Sequence, residues 1–182
     1  MAHVIEHASS GRAKCRGCER KIAKTELRFG ERQPNAFGEG EMTLWFHLPC
    51  AAYKRPEPFL ETLRQTAEPS VEIADAAALK AAAEHGLAHR RLPRVNGAEL
   101  APTGRALCRS CREPIAKDTW RVPLVFFEQY RFEPSGFIHA GCAQEYFGTT
   151  DFLDRVRRFS PDLSAADVRA LKAALEPDSA SG

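Results

Sequence analysis

Every cysteine in this chain falls into one of two copies of a metal-ligand pattern. Cys15 and Cys18 are followed by His47 and Cys50, and Cys108 and Cys111 by His139 and Cys142. Both copies read C-x2-C, then 28 or 27 residues, then H-x2-C. A two-residue spacer lets one tight turn aim both sulfurs at a single ion, and three thiolates with one imidazole complete a tetrahedral Zn2+ shell. With no coordination position left for water, such a site holds a fold together and activates no nucleophile. The pattern predicts two structural Zn2+ ions per chain. The competing reading is six buried or disulfide-bonded cysteines, which would require chance to repeat both the paired spacing and the histidine.

The opening residues, MAHVIEHASSGRAKC, contain no apolar core of a secretory signal, so the thiols are expected in a reducing, intracellular compartment that favours zinc over disulfides. No apolar run approaches the roughly 18 residues of a membrane span, and no membrane partner is expected. The 182 residues, 43% of them hydrophobic, suit one or two globular domains. His3, His7, His85 and His89 have no cysteine or carboxylate at ligand spacing and are read as surface or helix-end residues.

Formal net charge is +2, and two sites of one Zn2+ with three thiolates bring the metallated chain to zero. Bulk charge therefore draws the chain to no polyanion. Local charge differs: Arg12 to Arg32 holds eight basic and three acidic residues, and Arg105 to Arg131 six and three, whereas Glu57 to Glu84 holds six acidic and two basic. The recurrence of a basic stretch around each pair of first cysteines points to an anion-binding face. Arg90, Arg91 and Arg94 either add phosphate contacts or lie in a solvated linker.

The duplication extends past the ligands. At a shift of 92 or 93 positions, Gly11-Arg12-Ala13 recurs as Gly104-Arg105-Ala106, Ile22-Ala23-Lys24 as Ile115-Ala116-Lys117, Arg28 as Arg121 and Phe59-Leu60 as Phe152-Leu153. The expected organisation is two tandem domains, 1–97 and 98–182, with a boundary where Pro93, Asn96, Gly97 and Pro102 interrupt the pattern. In each, a zinc knuckle and a short antiparallel sheet precede helices, an α+β fold. Leu27 to Phe29 and Thr43 to His47 read as paired strands around a polar loop, Gln33 to Glu41. Pro49 opens a helix that carries Cys50, and helices follow at 58–66, 73–85, 151–158 and 164–175. Ser164 with Asp167 reads as an N-cap. In the second copy Glu128 to Gly136 is expected to be the loop, Phe126 and Phe137 core, and Trp45 and Trp120 packing beside the ligands.

The string S-G-R-A-K-C-R-G-C-E-R-K-I-A-K, with Leu27-Arg28 and Trp45-Phe46-His47-x-x-Cys50, resembles the PARP-type zinc finger, the DNA-break sensor of poly(ADP-ribose) polymerases and of a DNA ligase. The second copy, G-R-A-L-C-R-S-C-R-E-P-I-A-K with Trp120-Arg121 and Phe137-Ile138-His139-x-x-Cys142, is similar to it. The resemblance implies that arginines grip the phosphate backbone while apolar side chains stack on bases exposed at a break. The grip falls on Arg12, Arg28, Arg105 and Arg121, and the stacking role on Phe37 with Met42. In the second copy Tyr130 is the stacking candidate. A planar guanidinium suits phosphate because it bonds bidentately and stays charged.

No P-loop, dinucleotide fingerprint or catalytic triad is present, and the roughly 40 residues after Cys142 are too few for the catalytic domains that accompany such fingers. The reading is a two-finger DNA-binding protein without catalysis of its own. It would act on nicked, gapped or ended duplex, with a repair protein as a further partner. It would reside in a bacterial cytoplasm or nucleoid, or in a nucleus. The alternatives are a zinc-stapled protein-protein interaction module and a thiol redox sensor.

Overall fold

The computed structural model describes residues 2–36, 38–65 and 71–176. Phe37, expected to stack on a base, lies outside the described residues. The chain divides into two compact units, Met1–Ala88 and His89–Gly182. This division falls ahead of the boundary expected from the sequence, because Leu92 and Val95 are 0% and 1% exposed within the core of the second unit. Pro93 shapes a 3-10 turn over Leu92–Arg94, where a linker was expected.

The first unit holds strands β1 (Val4–His7), β2 (Leu27–Pro34) and β3 (Glu41–His47), antiparallel in the order β1-β2-β3. Phe29, Leu44 and Phe46 are fully buried, which fixes the sheet's inner face. β1 is too short to announce itself in sequence, yet it sets Glu6 opposite Arg28. Pro49 lies in the first turn of α1 (Leu48–Lys54), which carries Cys50, and α2 (Pro56–Gln65) follows after one residue. α3 (Ala76–Ala88) begins later than residue 73 because Asp75 adopts φ +59, a left-handed conformation that no helix can run through. It packs on α1 and α2.

The second unit repeats the sheet with β4 (Glu99–Leu100), β5 (Trp120–Glu128) and β6 (Arg131–His139), in the order β4-β5-β6. The loop expected over 128–136 is absent. β5 and β6 continue to a two-residue turn, Gln129–Tyr130, with φ +47 and +67. Positive φ at both central residues matches the right-handed twist of the flanking strands, which lets so short a turn close the hairpin. A register shift between Pro123 and Val125 re-aims the following side chains, so Phe126, expected in the core, is 42% exposed. Phe137 is partly buried against the core, as is Trp120. α4 (Ala143–Phe147), α5 (Leu153–Phe159) and α6 (Ala165–Leu175) complete the unit. The expected N-cap forms a capping box: Asp167 N–H donates to Ser164 Oγ at 3.1 Å and Ser164 N–H donates to Asp167 Oδ2 at 2.9 Å.

Candidate metal centres and nucleic-acid interface

Each zinc knuckle is a backbone device before it is a metal site. In the first, Cys15 N–H donates to Arg20 C=O at 2.9 Å and Glu19 N–H to Cys15 C=O at 2.8 Å. In the second, Cys108 N–H donates to Glu113 C=O at 2.9 Å and Arg112 N–H to Cys108 C=O at 3.0 Å. Glu19 and Arg112 both take positive φ, +61 and +70, which turns the chain sharply after the second cysteine. The end of the last strand supplies the histidine, and the start of the following helical segment supplies the final cysteine.

The ligand atoms converge. Cys15, Cys18, His47 and Cys50 form one group and Cys108, Cys111, His139 and Cys142 the other, with all ligand atoms of a group within 4.8 Å of one another. His47 Nδ1 lies 3.4 Å from Cys18 Sγ, and His139 Nδ1 3.4 Å from Cys111 Sγ. On the far side of each ring, Nε2 lies 3.2 Å from Lys21 O and 3.1 Å from Pro114 O, respectively. Donation of Nε2–H to a carbonyl leaves the Nδ1 lone pair facing the sulfurs, the tautomer a metal requires. Backbone N–H groups of His47 and His139 reach Cys15 Sγ and Cys108 Sγ, each at 3.4 Å, and favour thiolates. Hydrogen bonds from Cys15 and Cys50 hold the Cys18 thiol far below its ordinary range. Burial and the negative charge of Cys108 push Cys142 up to about 12. Sulfurs this close cannot all ionise without a cation, and a tetrahedral divalent ion fits the donor set. The two groups fit two structural zinc ions.

His3, His7, His85 and His89 belong to neither group. His3 Nδ1 accepts from Arg32 N–H at 3.1 Å, and His7 Nδ1 lies 2.8 Å from Thr25 O.

The expected grip residues separate into two pairs. Arg12 and Arg105 are exposed, at the same place ahead of their knuckles. Arg28 and Arg121 are only 7% and 6% exposed and already hold carboxylates. Arg28 Nε and Nη2 donate to Glu6 Oε1 at 3.2 and 2.5 Å, and Arg121 Nε and Nη2 to Glu99 Oε1 at 2.9 and 2.5 Å. Their guanidinium planes lie over Trp45 and Phe137, 3.5 and 3.6 Å from the ring centroids. Trp45 is thus a platform for Arg28 as well as packing. Sequence reading missed Glu6 and Glu99, although the shift of 93 that relates the other repeated residues also relates these two. Met42 is half-buried on β3, opposite Gln33. Tyr130 is half-buried at the tip of the second hairpin. Arg91 and Arg94 stand in the second unit, where Arg91 donates to Tyr146 C=O at 3.3 Å and Arg94 to Tyr146 Oη at 2.9 Å.

Two closed Cys3His centres, each on a short antiparallel sheet with a helical appendage, define a tandem zinc-finger protein. Residues 6–87 match the family described as "Poly(ADP-ribose) polymerase and DNA-Ligase Zn-finger region". Residues 6–87 are thus a PARP-type zinc finger, and the second Cys3His site is consistent with a second tandem copy. It is 28% identical to a poly [ADP-ribose] polymerase of Sarcophaga peregrina over 82% of its own length and 17% of that protein. It is 30% identical to poly [ADP-ribose] polymerase 1 of Oryza sativa subsp. japonica over 79% of its length and 14% of that protein. It is also 26% identical to the polynucleotide 3'-phosphatase ZDP of Arabidopsis thaliana over 94% of its length and 28% of that protein. The chain thus spans less than a third of each of these three relatives. Among the described residues no helix is long and apolar enough to cross a membrane.

Proposed function

We propose that the chain is a zinc-dependent DNA-binding protein that recognises strand breaks or ends and performs no catalysis itself. The observation that carries this reading is the placement of Arg12 and Arg105, exposed beside two equivalent zinc knuckles, the first of which matches the zinc-finger region of poly(ADP-ribose) polymerase and DNA ligase. Zinc fixes each knuckle, the knuckle fixes the preceding G-R-A turn, and the turn presents an arginine to phosphate. Arg28 and Arg121, held by Glu6 and Glu99, offer DNA only their remaining guanidinium edge. Phe37 and Met42 in the first finger, and Tyr130 in the second, would stack on bases that a break leaves unpaired. Stacking contributes roughly 1–3 kcal/mol per base and is indifferent to sequence. Tethering two fingers raises their joint affinity about 10^2–10^4-fold over either alone if both reach one break.

The test is a gel-shift panel of intact, nicked, gapped and blunt-ended duplexes, with and without chelator. Nicked, gapped or ended DNA should bind more tightly than intact duplex, and chelation should abolish the difference. Arg12→Ala should weaken binding to every duplex alike and lower the salt dependence by about one phosphate contact. Equal affinity for all four duplexes, or binding that survives loss of zinc, rejects the reading.

A further inference from the structure

We propose that the second unit carries a separate platform for an unpaired nucleic-acid strand, built from Arg91, Tyr146, Arg94 and Phe126; the proposal rests on the DNA-binding reading above. These four side chains form an alternating row of cation and ring. The Arg91 guanidinium lies over Tyr146, 4.7 Å from its centroid, and that of Arg94 over Phe126 at 4.1 Å, while Arg94 also bonds Tyr146 Oη at 2.9 Å. Burial of Leu92 and Val95 pins the turn that carries both arginines, so the row is held in place before any ligand arrives.

The row differs in charge from the stacked arginines Arg28 and Arg121. Arg28 and Arg121 are neutralised by Glu6 and Glu99. Among the described residues neither Arg91 nor Arg94 forms an ion pair, and Glu133, directly opposite Phe126 across the hairpin, is engaged by Arg131. Arg90 and Arg91 are exposed, and no acidic residue interrupts Arg90 to Arg94. Phe126 is also the only phenylalanine, tyrosine or tryptophan in the exposed class among the described residues, at 42%. A fixed, unneutralised pair of guanidinium groups beside an outward ring matches a polyanion whose monomers carry π-faces: phosphates meet the arginines and a base meets the ring. In paired duplex the bases are already stacked, so the ring selects an unpaired strand. At these positions the first unit has Gln33 in place of Phe126 and Lys54 in place of Tyr146, so the platform is an addition to the duplicated scaffold.

The experiment compares the full chain on a nicked duplex with the same duplex carrying a ten-nucleotide unpaired flap. The flap should tighten binding about tenfold, the contribution of one stacked base. Phe126→Ala and Arg94→Gln should each remove that gain, with affinity for the plain nick and a zinc content of two per chain unchanged. The proposal is overturned if the variants keep the flap gain. It is equally overturned if wild-type protein shows none, or if polyglutamate displaces the flap where an oligothymidylate of equal length does not, which would mark a surface for acidic protein. Absence of binding to either DNA would reject the proposed function and the platform together, whereas nick binding without a flap gain rejects the platform alone.

Discussion

In the first unit three of the four metal ligands are buried, Cys15, His47 and Cys50, with Cys18 half-buried, whereas in the second only Cys108 is buried, Cys111 reaches the surface and His139 and Cys142 are half-buried. One residue of the knuckle parallels this difference. A Cβ built on Gly17 would lie 2.9 Å from Cys50 Cβ, so the first knuckle closes onto its fourth ligand; Ser110 stands at the equivalent place and carries a side chain. The interiors diverge as well. Glu31, 1% exposed, holds Arg55 through Oε1 at 2.5 Å and Oε2 at 2.7 Å, whereas the corresponding positions of the second unit are the buried Leu124 and Phe147. Lys54, whose ammonium burial pushes down to about 8 against the opposing charge of Cys50, is replaced by Tyr146. The comparison teaches that ligand spacing specifies the tetrahedron and the knuckle, while an ionic or an apolar interior can support them equally.

The largest effect should come from the ligands. Cys50→Ser and Cys142→Ser should each unfold their own unit and lower zinc from two to one per chain, since a structural site contributes roughly 10–16 kcal/mol. Metal analysis with circular dichroism reads this, and chelator titration of the wild type should empty the exposed second site first. Simultaneous release of both ions would erase the distinction between the units. Next, Arg55→Ala leaves the Glu31 carboxylate buried without its counter-ion, with Gln33 Nε2 still donating to its Oε1 at 2.6 Å, at a cost of about 3–5 kcal/mol to the first unit. Replacing Glu31 and Arg55 together by leucine, in imitation of the second unit, should recover most of that loss in amide hydrogen exchange over 4–65. No recovery would mean that the ionic interior is specific to its surroundings.

A smaller effect is expected at the knuckles. Gly17→Ala should cost about 1–3 kcal/mol through overpacking against Cys50 and speed zinc release to a chromogenic chelator, while Ser110→Ala stays within about 0.5 kcal/mol. Equal release rates would show that Gly17 does not set the tightness of its site. The smallest concerns α6: Ser164→Ala removes a cap worth about 0.5–2 kcal/mol. Hydrogen bonds from Ser164 depress the Asp167 carboxyl below its ordinary value, so its contribution is fully present above the ordinary carboxylate range and is lost as pH falls through the lowered value. Fraying of α6 followed by NMR between pH 5 and 2 checks the sign.

The metal centres were legible because coordination chemistry allows few spacings, and the capping box because it acts within four residues. Most strands and helices were legible, with shifted ends, from alternation and from proline. What escaped depended on partners distant in sequence. Arg28 and Arg121 carry the residue type of a phosphate fork, yet their burial follows from Glu6 and Glu99 on strands of four and two residues, too short for a periodic signal. Phe126 counted as core by hydrophobicity, and only the register shift at Pro123/Val125, a property of strand pairing, turned it outward. The second hairpin was hidden because its turn contains neither glycine nor asparagine.

That turn sets a conflict between backbone and side chain. Gln129 and Tyr130 occupy the left-handed region at φ +47 and +67, where a side chain with a Cβ costs about 1–2 kcal/mol per residue and Asn-Gly would close the same hairpin with less strain. Local preference and tertiary demand disagree at this tip, and sequences drifting under selection for stability alone would drain toward asparagine and glycine there. The left-handed backbone at the tip is thus held by the pairing of β5 with β6 and not by the residues that form it.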